Sequence, residues 1–416
     1  MKKNFIYAAA LMLGLTCSFA SCDDDDDEVT NGGNGGNDNE QVDPAPSDST
    51  EIEDPANIDY TPENAKSWHN YMKVVASLLK KDSQKLYDEW ANGYAEGFKN
   101  PGTAGNVTGF TSYINCIEQI VDGCSDIASE VGGAKLGDPY KLYMDGDKVG
   151  ALYAVESWYS WHSKEDYSNN IVSIQNAYYG HRNLTSDIDT KEHTYVANSI
   201  AALVKAKDPN FHAEMDKAIK DAYKAIMNIP TPFRNHIGSA ETKKAMDACE
   251  HLNELLVEAP VNLRSFMRNN YANNDEALKP IVVQYVDNVI MPTYSDLRDK
   301  NNLLFDVISK LTANPTNANF EAACEAWIIA REPWEESEAY LFGPVANLGL
   351  DPNMDSWPLD QAAIVNILNS GKFDNLDWDG DYSEENEEIA NKQSVRGYHT
   401  LEFLLFKDGK ARTINK

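Results

Sequence analysis

An all-α fold of two packed helical bundles is predicted by three observations on this chain. Apolar residues recur at three- or four-residue spacing over long stretches, and helix start and stop signals punctuate them. No stretch sustains the alternation of period two that a half-buried strand needs. The body from Thr61 to Lys416 is too long to share one bundle core, so two bundles are the natural architecture.

Thr61-Pro62-Glu63 offers a capping residue, proline at a first helical position and an acid in the first turn. Trp68, Met72, Val75, Leu79, Leu86, Trp90, Tyr94 and Phe98 then mark one apolar face until Asn100-Pro101-Gly102 stops it. A second helix is predicted on Tyr113, Ile117, Ile120, Cys124, Ile127 and Val131, ending at Gly132-Gly133. Further helical stretches are predicted near 191–206, 210–228, 240–270, 276–300, 302–313, 317–341, 359–370 and 386–406. Cys116 and Cys124 share a helix at i, i+8, about 12 Å apart by helical rise, too far for a disulfide. With Cys249 and Cys324 they read as small core residues.

The N-terminus carries the marks of export. Lys2 and Lys3 precede an apolar core from Phe5 to Leu15, shorter than a mature membrane span. Phe19-Ala20-Ser21-Cys22 resembles a bacterial lipoprotein box, which makes 1–22 the signal segment and Cys22 the lipidated residue. Asp23 to Asp27 and Glu28 follow, resembling the surface-export signal of Bacteroides-type lipoproteins. The expected address is the outer membrane, periplasmic or outward facing, with the outer face favoured. From Asp23 to Tyr60 there are fourteen acids and no Lys or Arg. Such a segment cannot offset its ordering entropy by burial, so 23–60 is expected to be a disordered acidic tether. From Thr61 onward 52 acids face 34 basic residues, a net of −18. That field argues against nucleic acid and anionic membrane surfaces as partners and suits cations.

Two segments carry the candidate chemistry. Gly397-Tyr398-His399-Thr400-Leu401-Glu402 puts an imidazole and a carboxylate at i, i+3, on one helix face. The bare His-x-x-Glu spacing also occurs at His162/Glu165 and His251/Glu254; the third copy differs in its Gly397 and the following Phe-Leu-Leu-Phe. Trp327-Ile328-Ile329-Ala330-Arg331-Glu332-Pro333-Trp334-Glu335-Glu336-Ser337-Glu338 supplies a second i, i+3 pair, Glu335 and Glu338, with Arg331 one turn earlier. Carboxylate pairs facing a His-x-x-Glu are the vocabulary of metal sites in helix bundles. The same residues also compose a closed network in which Arg331 neutralises one of the acids.

Both segments resemble signatures of the imelysin-like family, the first its G-x-H-x-x-E motif and the second its W-x-x-A-R-x-P-x-E-x-x-E stretch. Members are associated with bacterial iron uptake and with peptidase activity. The resemblance implies a metal set of His399, Glu402, Glu335, Glu338 and, by analogy with ferrous-iron-uptake components, Asp355, with Asp351 as alternate. A set with one nitrogen and several hard oxygens suits Fe or Zn. Glu156-Ser157-Trp158-Tyr159-Ser160, with Asp166 and Asn170, resembles a segment that other members carry after G-x-H-x-x-E. Order is therefore read as circularly permuted: 61–270 resembles the usual C-terminal half, 271–416 carries the motif, Asn269–Asp275 is the new connection, and 271–280 is expected to be an exposed link. Permutation costs little where original termini are neighbours at the surface. The resemblance further places Arg331, Ser160, Glu156 and Gly397 along a ligand cleft.

Three functions compete on these grounds. The first is a non-catalytic lipoprotein binding iron, haem or an iron carrier. The second is a metallopeptidase, for which the ligands are under-supplied: no His-Glu-x-x-His occurs, and Ser160 and Ser163 beside His162 say nothing of a spatial pair. The third is a structural or adhesive lipoprotein without metal. Asp377-Trp378-Asp379-Gly380-Asp381 with Glu388 echoes a calcium loop, but Tyr382 stands where that loop needs glycine.

Overall fold

Helices dominate the computed structural model, which describes residues 58–182, 195–373, 376–378 and 386–414. Cys22 and nearly all of the expected tether lie outside the described residues, as does most of the calcium-like loop. Everything described falls within the compact unit Val42–Lys416. In order the helices are α1 Ala65–Glu89, α2 Ala95–Lys99, α3 Tyr113–Glu130, α4 Gly137–Met144, α5 Lys148–Tyr153 and α6 Ser163–Tyr179. There follow α7 Ile200–Lys207, α8 Pro209–Met227, α9 Ala240–Asn253, α10 Leu263–Tyr271, α11 Asp275–Tyr285 and α12 Met291–Ala313. The chain continues through α13 Asn317–Glu335, α14 Pro344–Asn347, α15 Leu350–Asp355, α16 Gln361–Ser370, α17 Glu387–Gln393 and α18 Gly397–Leu405. A two-residue antiparallel ladder, β1 Phe406–Lys407 and β2 Lys410–Ala411, pairs Phe406 with Ala411. The fold is all-α, as expected.

Two groups of helices share the core. α1, α12, α13 and α18 pack together, and so do α3, α6, α8 and α9; α13 meets α6 where the groups join. The apolar face of α1 is realised as Trp68, Met72, Val75, Leu79 and Leu86, all buried. Thr61 and Asn64 exchange hydrogen bonds in a turn, so α1 begins at Ala65 rather than beside Pro62. Its N-terminal end sits beside the C-terminal hairpin: Asp59 accepts from Lys407 Nζ at 3.0 Å and Arg412 Nη1 at 2.8 Å.

Several helix limits differ from expectation for identifiable reasons. The 240–270 stretch breaks at 259–262, where Pro260 lacks an amide donor. The stretches 276–300 and 302–313 are joined, because Asn301 turns inward and donates to Leu297 O and Tyr398 Oη instead of ending a helix. The 317–341 helix stops at Glu335, two residues after Pro333, and Glu338–Tyr340 form a 3-10 turn. The 386–406 stretch splits before Gly397, where Arg396 is held by Asn353 O, Leu376 O and Asp82. Past α3 the chain does not stop at Gly132-Gly133 but passes through a π-helical turn, Val131–Lys135. Cys116, Cys124, Cys249 and Cys324 are buried free thiols, in keeping with their reading as small core residues.

Candidate metal centre

Three local features bring the candidate residues together. Gly397 has φ +83°, and a Cβ there would lie 2.4 Å from Met354 O, so only glycine lets α18 start against the end of α15. That approach sets His399 beside Asp355. Early termination of α13 leaves Glu335 on its last turn and Glu338 on the following 3-10 turn. Ser157 and Trp161 adopt left-handed φ values of 51° and 64°, and the loop between them aims backbone N–H groups at α18.

Arg331 is the hub, with no exposed surface. Its Nε donates to Asp166 Oδ2 at 2.8 Å and its Nη1 to Asp355 Oδ1. Nη2 lies 2.7 Å from Glu335 Oε1, an ion pair without hydrogen-bond alignment, and 3.4 Å from His399 Nε2. Asp355 Oδ2 accepts from Trp334 Nε1 at 2.8 Å. Burial alone would raise the Asp355 carboxyl, but Arg331 and His399 outweigh it and hold it below the usual range. Glu335 also accepts from Asn170 Nδ2 at 2.7 Å, yet burial, with Asp166 and Asp355 nearby, pushes it up to about 8.

His399 is fully buried, and its two ring nitrogens both face carboxylates. Nδ1 lies 3.0 Å from Glu402 Oε2 and Nε2 3.2 Å from Asp355 Oδ1; the Trp357 ring stands 4.8 Å away, edge-on. Glu402 stands apart from the other acids. Its Oε1 accepts from the amides of Tyr159 (3.1 Å) and Ser160 (2.8 Å) and from Ser160 Oγ (2.7 Å). A carboxylate so occupied fixes the imidazole rather than offering a free ligand atom.

Glu335, Glu338 and Asp355 do converge: one oxygen from each lies within 4.8 Å of the others. Glu338 is buried, and its carboxylate makes no hydrogen bond or ion pair among the described residues. Burial pushes it well above the usual carboxylate range, opposed by the charge of Lys135. Hard carboxylate oxygens around one unpartnered acid fit a divalent cation, while Arg331 already supplies one positive charge. Glu156 is engaged elsewhere, by Lys135 at 3.0 Å. Asp351 is a charge sensed by Glu338.

Lys135 and Asp166 complete the cluster and were not singled out as site residues from the sequence. Asp166 accepts from Arg331 and from Ser157 Oγ, and its place in the Glu156–Asn170 segment was the available signal. Lys135 had none, because its position depends on the π turn.

Fold and site thus define an all-helical protein that buries a carboxylate–guanidinium–imidazole cluster where two helix groups meet. The family model described as Imelysin matches residues 45–259 and 290–416, and the chain belongs to the imelysin family. A solved structure of an imelysin peptidase from Bacteroides ovatus is 50% identical with a TM-score of 0.80, over 87% of this chain and 100% of that one. Iron-regulated protein A of Synechococcus elongatus is 32% identical over 122 residues, 29% of this chain. The matched stretch spans only 30% of that relative's length.

Proposed function

We propose that this protein is a non-catalytic binding protein of imelysin type, serving acquisition of iron or of an iron carrier. The observation that carries the reading is the convergence of Glu335, Glu338 and Asp355 oxygens within 4.8 Å, one of them without a partner. Those three acids would hold an Fe or Zn ion, with His399 as the neighbouring nitrogen donor and Glu402 keeping that ring in place. Arg331 and Lys135 offset part of the negative charge, which keeps the cluster foldable without the ion. The likeness to an iron-regulated protein supports iron over other cations.

On the same reading the chain is anchored to the outer membrane by lipid at Cys22, surface face favoured. No described helix is long and apolar enough to cross a membrane. The peptidase reading draws support from the name of the Bacteroides ovatus relative. Against it, the Ser160 hydroxyl donates to Glu402, and the His162 ring faces Glu165 and Asp166 at 3.8 and 3.9 Å. A serine so placed lacks a histidine base, and a metal-based peptidase is opposed instead by a donor set of three acids with a single histidine, His399, beside them.

Calorimetry with ferrous iron under anaerobic conditions, and with Zn2+ in parallel, tests the proposal. Wild type should bind, and His399→Ala or Glu338→Ala should bind at least tenfold more weakly with unchanged helix content. Equal affinity in all three, or none in any, overturns it. Peptide cleavage by wild type that is lost in His399→Ala would install the peptidase reading instead.

A further inference from the structure

We propose that the carboxylate site takes a bare divalent cation and excludes haem and iron held by an organic carrier. The inference rests on the metal-binding reading above and narrows it to one class of ligand.

Depth carries the first part of the argument. Arg331, Glu335, His399 and Glu402 have no exposed surface, and the Asp355 side chain is 5% exposed. Glu338 is nine-tenths buried, and its carboxylate reaches the cluster without a hydrogen bond or ion pair among the described residues. Four hydrogen bonds tie α6 and the loop before it to α13, the 3-10 turn after it and α18. Arg331 Nε donates to Asp166 Oδ2 at 2.8 Å, and Asn170 Nδ2 to Glu335 Oε2 at 2.7 Å. Ser160 Oγ donates to Glu402 Oε1 at 2.7 Å, and the Ala339 amide to Ser173 Oγ at 3.0 Å. A porphyrin edge or a chelating carrier must part α6 from α13 to touch the three acids. That movement would leave buried polar groups without their partners. A single ion needs no such opening.

Spacing carries the second part. Carboxylate oxygens bind divalent ions at about 2.0–2.6 Å, so two of them on one ion lie at most about 4–5 Å apart. Glu335, Glu338 and Asp355 each place one oxygen within 4.8 Å of the others, a separation that one ion spans. Haem iron has its equatorial positions filled by ring nitrogens, and carrier-bound iron is enclosed by the carrier's own donors. Neither can accept three protein oxygens.

The imidazole argues the same way. A haem-binding histidine presents a ring nitrogen to the iron. Here Nδ1 faces Glu402 Oε2 at 3.0 Å, Nε2 faces Asp355 Oδ1 at 3.2 Å, and the Trp357 ring stands edge-on at 4.8 Å. Both nitrogens are engaged within the cluster, and neither is offered to an axial position.

Titrations of the intact protein with anaerobic Fe2+, with haemin and with ferrichrome, a ferric trihydroxamate, test this. They are run on wild type, Glu338→Gln and Glu335→Gln, with calorimetry for Fe2+ and equilibrium dialysis for the two carriers. A single Fe2+ should bind per chain, at least tenfold more weakly in Glu338→Gln, and an excess of haemin or ferrichrome should leave that affinity unchanged. Haemin or ferrichrome that binds wild type and weakens at least tenfold in Glu338→Gln, or that displaces Fe2+, overturns the inference. Glu338 has no partner to lose, so Glu338→Gln should fold; should it fail, Glu335→Gln takes its place with the same expectations. Carrier binding lost in Glu338→Gln, with no binding of free Fe2+, overturns this inference and leaves the iron-carrier form of the proposed function standing. Binding of none of the three probes overturns both.

Discussion

Glu402 holds His399 by one oxygen and a loop from the other helix group by the second. Its Oε2 stands 3.0 Å from His399 Nδ1, while Oε1 takes the amides of Tyr159 and Ser160. One buried carboxylate therefore fixes both the imidazole and the meeting of the two groups.

Glu402→Ala leaves two amides and an imidazole without their acceptor. Removal of one partner from a buried charged network costs about 3–5 kcal/mol. Ser160→Ala removes a single hydroxyl donor and should cost about 1 kcal/mol. Urea unfolding of both variants, compared with wild type, checks the contrast.

Gly397→Ala should lower stability by about 1–3 kcal/mol through its left-handed backbone alone. The clash with Met354 O adds to that by driving α18 from α15. Thermal melting reads the loss, and the His399 ring resonance should move because Asp355 recedes from it.

Arg331→Met strips the cation shared by Asp166, Glu335 and Asp355, with an expected cost of about 3–5 kcal/mol. Arg331→Lys should recover little of it, since one ammonium cannot reproduce a planar fork of donors. Added Zn2+ should raise the melting temperature of Arg331→Met more than that of wild type.

Glu335 gives the metal-free protein a defined pH response. Its folded carboxyl lies at about 8 against an ordinary value of 4.5, so between those limits the folded state holds a proton that the unfolded state has released. The associated stability is complete below pH 4.5 and is lost as pH rises through 8. Urea unfolding from pH 5 to 9 in chelator should show this decline, and Glu335→Gln should flatten it.

The sequence made the helical faces and the central residues legible, because periodicity in α1 and α3 and the i, i+3 pairs depend on local geometry alone. Arg331, Glu335, Glu338, Asp355 and His399 all meet. What escaped depends on the tertiary structure. The turn that places Lys135 is π-helical, and its glycines read as a stop. Ser157 and Trp161 take left-handed φ without being glycine or asparagine, so nothing local marked the loop that receives Glu402. Asn301 looked like a helix limit because its buried partner, Tyr398, is remote in sequence.

Asp59 adds a mechanical consequence. It is fastened to Lys407 and to Arg412, whose Nε donates to Phe403 O, while Trp68 Nε1 donates to Leu404 O at 2.9 Å. A pull on the chain ahead of Asp59 is thus shared by α1, through Asn64 Nδ2 on Asp59 O, by the hairpin and by α18, the helix that bears His399. Load entering from that end would be felt at the imidazole before it reached α3, α8 or α9.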